Sequence, residues 1–61
     1  MQDLAAASKL LTRHEAAEHL TVSLRVLDEL AAKRKIRAVK IGRSVRYRMQ
    51  ALEDFIKASE Q

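Results

Sequence analysis

Three groups of residues in this chain could carry chemistry, and the first two fail on spacing and scale. His14, Glu15, Glu18 and His19 bring imidazoles and carboxylates close together. A zinc-protease helix needs two histidines at i and i+4, so that both rings meet on one face. Here they are five apart. On a helix that turns them about 140° from one another, and no metal site is expected. Tyr47 offers the hydroxyl of a recombinase nucleophile. That chemistry needs several positioned cations on a much larger scaffold, so Tyr47 reads as a core residue. The third group is basic. Lys33, Arg34, Lys35, Arg37, Lys40, Arg43, Arg46 and Arg48 follow one another with no acid among them. The chain has 12 Lys+Arg and 8 Asp+Glu, so this segment carries +8 and the remainder −4. A net charge of +4 therefore hides a strongly polarised molecule. Concentrated positive charge points to a polyanion as partner. A merely solvated face is the competing reading. It is the weaker one here, because the basic residues alternate with apolar ones in a structured pattern.

The elements that must position this block follow from the periodicity. Thr12 and Glu15 have capping-box spacing, which predicts a short helix over Arg13–Leu20 with Ala16, Ala17 and Leu20 inward. Thr21-Val22-Ser23 interrupts it, and Ser23 is a good N-cap for a second helix from Leu24 to about Arg34. Val26, Leu27, Leu30 and Ala31 fall on one side of that helix. Arg25, Asp28 and Ala32 project from the other, flanked by Leu24 and Glu29. The period then changes from 3.6 to 2. Val39 and Ile41 alternate with Ala38 and Lys40, and Val45 and Tyr47 alternate with Arg46 and Arg48. Between them lies Gly42-Arg43-Ser44, with the only Gly in the chain. This is a two-stranded hairpin. Its expected inner face is Val39, Ile41, Val45 and Tyr47, and its expected outer face is Lys40, Arg46 and Arg48. A last helix from about Gln50 to Ser59 turns Leu52, Phe55 and Ile56 toward the same core.

Composition narrows the function classes. With 61 residues, no Cys and no Pro, one small domain over 1–61 is expected, with residues 1–9 frayed. Such a chain buries only about 60% of its unfolded surface. No disulfide or thiolate metal site is possible. There is too little chain to build and support a substrate pocket of about 300 Å³, so an enzyme is not expected, nor any cofactor. The opening MQDLAAASKLL lacks the basic leader of a signal peptide. A soluble protein of the bacterial cytoplasm, on DNA, is the expectation.

Helix, tight turn, helix, basic hairpin and helix together make a winged helix-turn-helix. Beyond this order, the chain resembles the MerR-like excisionases, the recombination directionality factors of phages and mobile elements. The likeness rests on Leu11-Thr12, Glu15-Ala16-Ala17-Glu18-His19-Leu20, Val22-Ser23, the Leu27/Leu30 spacing, Ala38 through Tyr47, and Leu52-Glu53-Asp54-Phe55-Ile56. Thr21 stands where that family usually has Gly, and Arg34-Lys35-Ile36-Arg37 where it usually has Gly-Lys-hydrophobic-Pro. The resemblance implies a mainly α fold with a two-stranded wing. It also implies copies bound side by side on repeated sites, bent DNA, and an integrase, of tyrosine-recombinase type, as partner.

A recognition helix of this kind enters the major groove with its N-terminal residues near base edges. Ser23, Leu24, Arg25 and Asp28 are the candidates, Arg25 foremost for a bidentate contact to guanine; a carboxylate such as that of Asp28 or Glu29 can accept from cytosine N4 but is repelled near phosphates. Arg43 at the wing tip is placed for a narrow minor groove. Lys40, Ser44, Arg46 and Arg48 are candidates for flanking phosphates, which set position rather than sequence. Two other readings stay open. One is a small winged-helix transcriptional regulator, and the other is a module whose basic wing meets an acidic protein.

Overall fold

The computed structural model describes residues 9–60. Most of the stretch expected to fray, residues 1–8, lies outside the described residues. Lys9 is engaged, with its carbonyl accepting from the Met49 amide at 3.0 Å. The elements run β1 (Leu10–Thr12), α1 (Arg13–Leu20), α2 (Leu24–Ala32), β2 (Ala38–Ile41), β3 (Ser44–Arg48) and α3 (Met49–Ser59). They form three helices and one antiparallel sheet of three strands in the order β1-β3-β2.

Local chemistry sets the helix ends. The Thr12 amide donates to Glu15 Oε1 at 2.9 Å and Thr12 Oγ1 accepts from the Glu15 amide at 3.1 Å, closing the expected capping box. α1 stops because Thr21 adopts a left-handed conformation, φ 58°. The Thr21 amide then donates to Glu18 O, and the Val22 amide to Ala17 O, both at 3.0 Å. This is a Schellman closure, normally built on Gly. Ser23 Oγ accepts from the Val26 amide at 3.2 Å and starts α2. The expected end near Arg34 is two residues too long, because Arg34 itself turns left-handed at φ 60°. The Arg34 amide donates to Ala31 O at 3.0 Å and the Lys35 amide to Leu30 O at 2.8 Å, a second Schellman closure. Both left-handed residues stand where the resembled family usually has Gly.

The sheet differs from expectation in two ways. The hairpin gains a third strand, because β1 pairs with β3 and sets Leu11 opposite Tyr47. A strand of three residues is too short to show alternation, so nothing in the residue pattern marks it. The register also differs. The turn is the two residues Gly42-Arg43, not Gly42-Arg43-Ser44, so Ile41 pairs with Ser44 and Val39 with Arg46. Gly42 has φ 61° while Arg43 is not left-handed, the pattern of a type II′ turn. A two-residue turn pairs odd positions with even ones, whereas a three-residue turn would pair odd with odd. The slip of one residue moves a strand's side chains to opposite faces. Val39 and Ile41 therefore lie on the outer face with Arg46, and Ile41 is 53% exposed. Lys40 shares the inner face with Val45 and Tyr47. The expected grouping of Lys40 with Arg46 and Arg48 is corrected accordingly.

The core is Leu11, Ala16, Ala17, Leu27, Ile36, Tyr47 and Leu52. Ile36 joins it from the loop after α2, where no periodicity announces it. In α2, Leu24 packs half-buried against the core and Val26 is exposed, the reverse of expectation. Phe55 packs against the core as expected, while Ile56 is half-buried outside it. α1 is central and touches β1, β3, α2 and α3.

Two outcomes follow for stability. A non-glycine left-handed residue costs about 1–2 kcal/mol, against which Gly adds unfolded-chain entropy of about 0.5–1 kcal/mol. Thr21→Gly and Arg34→Gly are each expected to raise stability by about 0.5–1 kcal/mol, read as a higher midpoint in urea. The capping hydrogen bond from the Thr12 amide holds the Glu15 carboxyl below its ordinary range. A lowered folded pKa stabilises above the unfolded value of about 4.3 and is lost as pH falls through the folded one. Glu15→Gln is expected to flatten the loss of stability between about pH 5 and pH 3, measured by urea unfolding at each pH.

Candidate nucleic-acid interface

Ser23 and Arg25 stand at the start of α2, where the helix leaves a tight turn from α1. Ser23 Oγ accepts from the Val26 amide, so its O–H proton remains for an outside acceptor. The Arg25 side chain is 88% exposed, with its Nε 3.9 Å from Glu29 Oε2. An exposed pair of that length adds little and competes weakly with a base or phosphate. Leu24 faces the core, so its side chain is largely spent on packing.

Asp28 is on the exposed side of α2, but it is not alone. Arg13 Nη2 donates to Asp28 Oδ2 at 2.6 Å and Arg13 Nε to Asp28 Oδ1 at 3.2 Å. This is a two-pronged guanidinium–carboxylate contact between the first residue of α1 and the middle of α2. The hydrogen bond and charge of Asp28 raise the Arg13 pKa. Tyr47 is buried at 1% exposure, and its phenol is pushed up by burial and then by the charge of Asp28. Sequence reasoning misses Arg13. The signal that could have found it is a cation in the first turn of a helix, where the macrodipole disfavours positive charge.

The wing carries its cations on two faces and a tip. Arg43 is the second residue of the turn and is exposed. Ser44, Arg46 and Arg48 share the outer face, and Lys40 stands on the inner one. Arg46 is half-buried between Thr12 and Val39, and its Nη1 donates to Val45 O at 2.9 Å. Among the described residues the salt bridges are Arg13–Asp28, His19–Glu53 and Arg25–Glu29. None involves a cation between Lys33 and Arg48. No cation of the basic block is thus held in an ion pair among the described residues, although Arg46 lies close enough to Glu15 to favour its charged form, and the block's charge remains open to an external polyanion. His19, considered above for a metal, instead sets its Nε2 2.9 Å from Glu53 Oε2 and ties α1 to α3.

A helix capped by Ser23, crossing α1 after a tight turn beside an uncompensated basic hairpin, is the geometry of DNA-binding folds. The chain matches the helix-turn-helix domain family over residues 10–59. It belongs to that family. No curated protein and no solved structure matches the chain. The helix-turn-helix domain is a DNA-binding fold with α2 as its second, recognition helix and the β2–β3 hairpin as a small wing. No helix among the described residues is long and apolar enough to cross a membrane.

The wing of this helix-turn-helix domain can be tested apart from the helix. Replacing Arg43, Arg46 and Arg48 together by Ala should weaken DNA binding. The slope of log K against log salt should become shallower by about 0.9 for each phosphate no longer neutralised. Helix content by circular dichroism should not change. Unchanged affinity and slope would remove the wing from the interface.

Proposed function

We propose that this helix-turn-helix protein is an architectural DNA-binding protein of excisionase type. It binds repeated sites as neighbouring copies, bends the DNA and directs an integrase of the tyrosine-recombinase type toward excision. The observation that carries the DNA-binding part is the uncompensated basic block beside the recognition helix. The resemblance of Leu10–Ile56 to MerR-like excisionases carries the architectural part. Arg25 reads a guanine in the major groove, Ser23 fixes the helix start on the backbone, and Arg43 enters the adjoining minor groove. Lys40, Ser44, Arg46 and Arg48 hold phosphates to either side.

Energetics favour several copies over one. Bending a site of 20–30 bp costs about 1–6 kcal/mol. A domain this small touches few bases, so the cost is better met when adjacent copies stabilise one bent path. The polarised charge helps, since acidic Glu53 and Asp54 on α3 can face the basic wing of the next copy. Chemistry on the DNA strands belongs to the integrase.

A gel-shift titration on the attachment-site DNA of the element encoding this protein, with excess competitor DNA, tests the proposal. A ladder of progressively retarded complexes is expected, with about five phosphates neutralised per copy giving a salt slope near −4 to −5. A single complex at a promoter, and none at the attachment site, would replace this reading with a transcriptional regulator. Absence of any shift at low salt would redirect the basic wing to an acidic protein.

A further inference from the structure

We infer that Arg13 is a specificity-positioning residue, which holds the Asp28 carboxylate as a base reader for cytosine N4 in the major groove. The inference rests on the DNA-binding reading above and adds to it a residue outside the recognition helix. Asp28 lies one turn beyond Arg25 on the exposed side of α2. A bare carboxylate there would be repelled by the phosphates that flank any groove. Arg13 removes that difficulty. Its fork meets both carboxylate oxygens, at 2.6 and 3.2 Å, and offsets their charge. The Asp28 side chain remains 48% exposed. Each carboxylate oxygen accepts more than one hydrogen bond, so a cytosine amino group can still be received.

The fork also fixes direction. A free aspartate on a helix surface samples several rotamers, and each immobilised rotamer costs free energy on binding. A two-pronged guanidinium allows one carboxylate plane. Arg13 is itself anchored at the first residue of α1, directly after the Thr12–Glu15 capping box, so its backbone does not fray. The carboxylate is thus held by a contact that spans α1 and α2.

The test is binding to a duplex library randomised across the site, with bound sequences read out for wild type, Asp28→Asn, Arg13→Met and Arg13→Lys. Wild type is expected to prefer cytosine at one position. Asp28→Asn should lower that preference about tenfold, within the range for removing one good hydrogen-bonded reader of a base. Arg13→Met should lower the same preference severalfold and leave other positions unchanged. Arg13→Lys keeps the charge but not the fork, so it should hold overall affinity while weakening the preference. Thermal melting of each variant separates these effects from misfolding, and Arg13→Lys with Asp28→Asn suffices if Arg13→Met does not fold. A uniform drop in affinity in the Arg13 variants, with a shallower salt slope and no change in base preference, would make Arg13 a phosphate ligand and overturn the inference. So would an Asp28→Asn profile identical to wild type. Failure of the wild type to bind any duplex would overturn the DNA-binding reading, and this inference with it.

Discussion

Two alanines on α1 set the spacing of everything else. Ala16 is 0% exposed and Ala17 4%, so along that face only methyl groups separate the α1 backbone from its neighbours. α2, α3, β1 and β3 all pack on this one helix of eight residues. Each of them brings a large side chain to it: Leu27 from α2, Leu52 from α3, Leu11 and Tyr47 from the sheet. A small central helix surrounded by large partners is a close-packed arrangement in which one added methylene forces side chains off their rotamers, at about 1–3 kcal/mol. The angle of the recognition helix and the placement of the wing are both fixed against α1. A thin core of this kind has no slack with which to adjust them separately.

Most of the helical frame was legible in the sequence because helix ends are decided locally. Thr12 and Glu15 specify a hydrogen-bonded box, and Ser23 a cap, whatever the rest of the chain does. The sheet was less legible because pairing is decided between segments. The hairpin could be seen from its alternation, but its register hung on whether Ser44 belonged to the turn or to the strand. One residue of turn length moved Val39 and Ile41 from the expected core to the outer face. β1 was hidden for a related reason. Leu10 and Leu11 have no period of their own, and only the Tyr47 ring opposite Leu11 shows why the chain is extended there. The same gap explains Leu24 and Val26. A stripe on a nine-residue helix can be rotated by one position without violating its spacing, and the partner helix decides.

The candidate interface divides in the same way. The basic block is a matter of composition and could be read directly. The structure adds that none of its cations is spent on an internal acid, a fact about geometry that charge counting cannot supply. The pairing of Arg13 with Asp28 spans fifteen residues of sequence and two helices, and no local rule connects them. The acidic face that Asp28 and Glu29 give to α2 looks unfavourable to DNA when read alone. Arg13 meets that carboxylate in a two-pronged contact, so the acidic side of α2 is offset in part beside the exposed Arg25.

Arg34 shows how stability and charge are set against each other in this chain. Its left-handed backbone would be relaxed by Gly, and the Schellman closure it makes needs only the amide that Gly also has. The side chain is exposed and pairs with no acid among the described residues. No ion pair among the described residues therefore favours arginine at this position. What it contributes is one more uncompensated cation between Lys33 and Lys35, at the exit of the recognition helix. Arginine there keeps one more cation in the basic block at the expense of backbone strain. Thr21 has the same strain without the charge, and it adds nothing to the basic block. The two left-handed positions are thus alike in geometry, and of the two only Arg34 adds charge to the basic block.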